Sequence, residues 1–136
     1  MSSRIKTTFL LLVLLQGLHS IEEYIGRLWE VFLPARLASN AVADNTEKGF
    51  IIINCCLFTF GILCWLVPVR KDHSSAYILI WLWIIIEMIN GIVHPFVAIY
   101  RGTYFPGVIT APFLLVFSIF LCRLILNVDN KIARNK

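Results

Sequence analysis

The sequence predicts an all-α fold, a transmembrane antiparallel four-helix bundle, and three observations carry that expectation. Of 136 residues, 59% are hydrophobic and 15% charged, against about 45–50% apolar and about 25% charged in a soluble domain. Four apolar runs reach the ~20 residues that a helix needs to cross about 30 Å of hydrocarbon. The segments between them are short, which returns each span beside its predecessor and leaves residues 1–136 as a single membrane domain. Barrel strands are excluded because the runs are long and do not alternate.

The first span covers about 7–33, clean from Phe9 to Leu18 and more mixed toward Trp29 and Leu33. A stretch of Ala, Ser, Asn, Asp and Glu at about 34–48 reads as the outer loop. The second span, about 50–67, is closed by Pro68 and the basic pair Arg70 and Lys71. The third covers about 76–100 and the fourth about 105–128. Arg4, Lys6 and the apolar core from Phe9 to Leu15 also resemble a secretory signal, but Leu18 and Ser20 fit the small-residue cleavage rule poorly. Retention of the N-terminus is therefore expected.

The net charge of +4 would suggest nucleic acid in a soluble protein. Here the basic residues gather at the chain ends and in one short loop, so they orient the chain in a membrane and no nucleic-acid partner is expected. With the N-terminus cytoplasmic, eight of the twelve fall inside: Arg4, Lys6, Arg70, Lys71, Arg123, Lys131, Arg134 and Lys136. Arg27, Arg36, Lys48 and Arg101 fall outside. A multi-pass protein with both termini cytoplasmic follows, in the plasma membrane by preference. Cys55, Cys56, Cys64 and Cys122 lie within apolar runs and read as small core residues, not as a disulfide or ligand set.

Ionisable residues inside a span cost on the order of 2.5–3.5 kcal/mol each, so each needs a reason. His19, Glu22 and Glu23 form H-x-x-E-E, whose spacings of three and four put the histidine over both carboxylates on one helical face. Glu87, Asn90 and His94 repeat those spacings in the third span. Counted from entry near Thr7 and near Ala76, His19 and Glu87 both lie about 17–18 Å deep. Asn54 and Thr110, counted from the other side, bring polar groups to the same layer.

Two imidazoles and three carboxylates in one helix bundle make a metal-ligand set, and carboxylate-rich bundles are how di-iron proteins are built. His19, Glu22, Glu23, Glu87 and His94 are the expected metal ligands. Glu22 and Glu87 are also candidate acid/base groups, with Asn90 and Thr110 as orienting partners. The cofactor expected is a divalent metal, iron ahead of zinc or manganese because of the carboxylate count. A structural polar network without function and a metal-free proton-transfer site remain alternatives for the same residues. His73 lies among charged neighbours in the inner loop, and Arg27, Trp29, Glu30 and Tyr100 read as interfacial. Asn54 and Gln16 read as helix-packing amides.

These residues resemble the HXXEE-domain family of small integral membrane proteins. The resemblance rests on His19-Ser20-Ile21-Glu22-Glu23-Tyr24, on Asn90-Gly91-Ile92-Val93-His94 and on Tyr104-Phe105-Pro106-Gly107-Val108-Ile109-Thr110. It implies four helices and a shared intramembrane site, and it names no substrate. In the last segment Pro106 suits the first turn of the fourth helix and Gly107 permits close backbone packing.

The expected function is an integral membrane enzyme with an intramembrane His/Glu metal centre, an oxidoreductase ahead of a hydrolase, acting on a lipid-soluble small molecule or membrane lipid. One alternative is a metal-free isomerase or cyclase, with Trp81, Trp83 or Tyr104 stabilising a carbocation. The other is a small proton-coupled carrier in which Glu22 or Glu87 exchanges protons.

Overall fold

The computed structural model describes residues 1–134, with side chains through residue 127. Among the described residues there are six α-helices and no strand: α1 Ser3–Ile25, α2 Leu28–Val31, α3 Leu33–Val42, α4 Thr46–Cys64, α5 Ala76–Arg101 and α6 Ala111–Arg134. Three helices, α1, α4 with its extension to Val69, and α5, are long and apolar enough to cross a membrane. The fourth, α6, is apolar over the shorter stretch Ala111–Asn127. Leu18, Ile21, Ile78, Ile85 and Ile99 point outward from these helices, as a lipid-facing surface requires.

Local chemistry sets the helix ends, and several differ from expectation. The first helix starts about one turn before Thr7 because Ser2 caps it, its Oγ accepting from Ile5 N–H at 3.4 Å. It stops at Gly26 and does not continue toward Leu33, since Gly26 N–H folds back to Glu22 O at 2.9 Å and Arg27 turns left-handed at φ 53°. The stretch expected as the outer loop holds α3, with Pro34 in its first turn, where a missing N–H breaks no hydrogen bond. Asn45 starts α4 by accepting from Lys48 N–H at 2.9 Å.

Pro68, which has no N–H to donate, lies in a π turn over Trp65–Val69 where Arg70 N–H reaches Trp65 O at 2.8 Å. The fourth helix begins at Ala111, later than the expected 105, and residues 105–110 form a turn that enters the site. Lys136 and the side chains of Lys131 and Arg134, counted above on the inner face, lie outside the described residues.

Apolar side chains gain little from leaving lipid, so such helices hold together by close packing. The sixth helix lies against both α1 and α5, while α4 packs on α1. Gly91 lets α5 approach α6: a Cβ there would meet Leu115 Cβ at 2.6 Å and its Cα at 2.9 Å. Phe9, Leu12, Ile80, Trp83, Leu114 and Leu121 belong to the main core, with Trp83 edge-on to Phe9 at 6.1 Å. A second cluster of Leu28, Trp29, Phe50 and Phe105 covers the opposite end.

Lys6, Arg70 and Asp72 meet at one end of the molecule. Lys6 Nζ donates to Asp72 Oδ2 at 2.7 Å and to Arg70 O at 2.9 Å, and Trp65 Nε1 donates to Lys6 O at 3.1 Å. The Lys6 ammonium holds the Asp72 carboxyl below the usual carboxylate range.

Candidate metal centre

One turn of α1 supplies two of the three converging groups. His19 and Glu23 are four residues apart and so stack on one face, and His19 Nε2 lies 3.3 Å from Glu23 Oε1. From α5, His94 Nε2 reaches the same oxygen at 3.2 Å. The two rings meet edge to face, 4.6 Å between centroids. Ligand atoms of these three residues all lie within 4.8 Å of one another, and all three residues are buried.

The other ring nitrogens are tied to the turn before α6. His94 Nδ1 lies 2.6 Å from Pro106 O, a carbonyl that can only accept, so Nδ1 carries a proton, and in the neutral ring Nε2 presents its lone pair to the cluster. His19 Nδ1 lies 2.7 Å from Thr110 Oγ1. His19 Nε2 is buried and has no hydrogen-bond partner among the described residues. Two imidazole nitrogens and a carboxylate oxygen thus point at one another inside an apolar bundle, an arrangement that needs a cation or added protons to be stable.

Gly107 makes the convergence possible. It has φ 91°, and a Cβ at this position would come within 2.5 Å of His94 Nδ1 and 2.7 Å of His19 Cε1. At the end away from Lys6 and Asp72 the aromatic cluster forms a roof: Phe105 lies 5.3 Å from the His94 ring, and Phe32 packs edge-on against Phe105 at 5.6 Å.

Glu22 and Glu87, expected as ligands beside these three, stand outside the cluster. Glu22 turns away from it toward the start of α6. Its Oε1 accepts from Tyr104 OH and Ile109 N–H, both at 3.0 Å, and its Oε2 from Thr110 N–H at 2.9 Å and Thr110 Oγ1 at 2.6 Å. Burial, together with the Glu22 carboxylate, raises the Tyr104 phenol above its ordinary pKa.

Glu87 belongs to a second polar group deeper in the bundle. Asn90 Nδ2 donates to it at 3.3 Å, and the Gln16 amide, with its nitrogen turned to Glu87, donates to Glu87 Oε2 at 2.8 Å with its oxygen 3.2 Å from Ser20 Oγ. The Ser20 hydroxyl also lies 2.7 Å from Asn54 Oδ1. A depth count that starts α1 at Thr7 pairs His19 with Glu87; the earlier start at Ser3 moves the count by about one turn toward His94, which lies about two turns beyond Glu87. His19 faces His94, and Gln16 faces Glu87.

Thr110 Oγ1 lies beside His19 Nδ1, whereas Asn90 contacts Glu87 and not the three-residue cluster. Neither the Pro106 carbonyl as a partner for His94 nor Phe105 as a roof is legible in the sequence, because both depend on how the 105–110 turn folds inward. His73 is exposed in the loop after the π turn, and Glu30 pairs with Arg27 at 3.1 Å on the surface. An apolar groove of about 660 Å³ between α1 and α4, lined by Leu14, Gly17, Leu18, Ile21 and Phe58, lies across α1 from His19 and Glu23.

Fold and site together define an all-helical protein, with three helices long and apolar enough to cross a membrane and a buried His/Glu cluster that could hold a metal ion. The chain belongs to the family described as "Protein of unknown function with HXXEE motif", whose model matches residues 10–121. No curated protein and no solved structure matches it.

Proposed function

We propose that this chain is a membrane-embedded enzyme that uses one divalent metal ion, held by His19, Glu23 and His94, to act on a lipid-soluble small molecule or membrane lipid. The observation that carries the reading is the convergence of His19 Nε2, Glu23 Oε1 and His94 Nε2, all buried, with His19 Nε2 unpartnered. The separations of 3.2 and 3.3 Å are close to the edge of a tetrahedron with metal–ligand bonds of 2.0–2.1 Å, about 3.3–3.4 Å. Two histidines and one carboxylate also leave coordination positions open, as catalytic zinc sites and non-haem iron(II) sites do.

Iron was preferred on a count of three carboxylates. The cluster holds one, so that ground falls away and the set serves zinc equally well. Zinc would supply Lewis-acid activation and iron redox chemistry. The protein's part is to exclude water with the Phe105 roof, to fix both rings through Thr110 and Pro106, and to keep a carboxylate between them.

Metal analysis of detergent-purified protein expressed in metal-replete medium should find about one equivalent of zinc or iron; less than about 0.2 overturns the metal reading. The cluster is then a proton-sharing network, and the metal-free acid/base enzyme takes its place. A proton-coupled carrier is less well served, since Glu87 is fully buried and bonded to its neighbours.

The reading includes α6 as a fourth span, which closes an antiparallel bundle with both termini cytoplasmic. Clustering of Lys6, Arg70 and Asp72 at one end supports it. Reporter fusions at Asp72 and at the C-terminus should both read cytoplasmic and a fusion at Asp44 the opposite side, by the excess of Lys and Arg inside. A cytoplasmic signal at Asp44 would invert the arrangement.

A further inference from the structure

The motif carries two adjacent glutamates, and only the second points at the cluster. The first, Glu22, spends each of its oxygens on two donors, all from residues 104–110. Among them is the Thr110 hydroxyl, whose oxygen is also the partner of His19 Nδ1. A hydroxyl has a single proton to give. Three acceptors are within reach, Glu22 Oε2 at 2.6 Å, His19 Nδ1 at 2.7 Å and Gly107 O at 3.4 Å, and the short bond to a carboxylate is the strongest. With the proton given to Glu22, Thr110 Oγ1 accepts from His19. His19 then carries a proton on Nδ1, and in the neutral ring the lone pair is at Nε2.

We propose that Glu22 is a positioning residue: it takes the hydroxyl proton of Thr110 and thereby fixes His19 as the Nδ1–H tautomer, with Nε2 free for a ligand. Pro106 O does the same for His94, so both rings are set by one turn of chain, and that turn is itself docked by Glu22. The negative charge beside the first N–H groups of α6 adds to the docking. This inference builds on the metal reading for its purpose, but the bond from His19 Nδ1–H to Thr110 Oγ1 does not itself require an ion.

Glutamine cannot replace Glu22. Either orientation of the amide turns its NH₂ toward a backbone N–H, and an NH₂ facing Thr110 can drive the hydroxyl round to donate to His19, moving the imidazole proton to Nε2. Thr110→Val removes the acceptor altogether, while Thr110→Ser keeps it.

The test combines two measurements on the full chain in detergent. Nitrogen-15 NMR of labelled histidine in metal-free protein reads the tautomer, with His19→Ala assigning the signal. Competition with a chelator reads affinity for Zn²⁺. His19 in the unaltered protein and in Thr110→Ser should be protonated at Nδ1, and Thr110→Val and Glu22→Gln should each lose that signature. Zn²⁺ affinity should fall about 10–100-fold in those two variants and return to within about threefold in Thr110→Ser, the usual size of an effect on a partner behind the ligand. The double variant Glu22→Gln with Thr110→Val should be little worse than either single one.

If the unaltered protein shows the tautomer but binds no Zn²⁺, the metal reading fails and this inference stands. If Thr110→Val leaves both tautomer and affinity unchanged, or if Thr110→Ser is as damaged as Thr110→Val, Glu22 does not act through Thr110 and the inference fails.

Discussion

His94→Ala should empty the metal centre, reducing bound ion from about one equivalent to below about 0.1, and Glu23→Gln should do the same. Each removes one of three groups that meet within 4.8 Å, and no fourth His, Cys, Asp or Glu joins that group among the described residues. Because the three act as one unit, the double variant should lose no more than either single one. An ion that binds only the folded chain stabilises it by about 2.7 kcal/mol at a concentration one hundred times its Kd, and both variants should lose that metal-dependent stabilisation. Glu87→Gln separates this site from a broader carboxylate cluster. Its partners are Gln16 and Asn90, so it should keep the ion at unaltered stoichiometry. Elemental analysis of the four proteins decides the matter, and loss of metal in Glu87→Gln with retention in Glu23→Gln would place the centre on the wrong carboxylate.

Much of this arrangement was legible because the relevant physics is local. An H-x-x-x-E pair on one helix meets by geometry alone, so His19 and Glu23 could be read as a pair before any fold was known. His94 and Thr110 could be named as polar groups with no other reason to be in a span. Glu22 and Glu87 were harder, since the face a carboxylate serves depends on which helix packs there. The earlier start of α1, by about one turn, accounts for part of the two turns that separate Glu87 from His94, and the packing of α5 on the bundle sets the rest. The start of α6 was illegible for a related reason: residues 105–110 are as apolar as a helix, yet their carbonyl and N–H groups are drawn to His94 and Glu22. Likewise α3 reads as a loop by composition and becomes a helix through its packing on α4.

Gly107→Ala should be as damaging as loss of a ligand, although Gly107 offers the ion nothing. Two costs fall on it. Its φ of 91° is a conformation that a residue with a Cβ adopts only under strain, worth about 1–3 kcal/mol. The added methyl would also sit 2.5 Å from His94 Nδ1 and 2.7 Å from His19 Cε1, where carbon contacts normally settle at about 3.5–4.0 Å. Neither ring can yield cheaply, because each is held by a hydrogen bond through Nδ1, at 2.6 Å to Pro106 O and 2.7 Å to Thr110 Oγ1. Relief requires about 1 Å of movement in the imidazoles or the turn, and a misplacement of that size can cost about 100-fold where geometry is critical.

Gly102→Ala supplies the comparison. Gly102 also has a left-handed φ, 64°, but a Cβ there meets nothing within 4 Å. Its variant should therefore show the backbone cost, about 1–2 kcal/mol, and bind metal normally. Gly107→Ala should show a larger loss of stability together with at least about a 100-fold loss of Zn²⁺ affinity in its folded fraction, measured by chelator competition. Equal metal affinity in the two variants would mean that the 105–110 turn does not press on the histidines, and that the convergence at Glu23 is held by α1 and α5 alone.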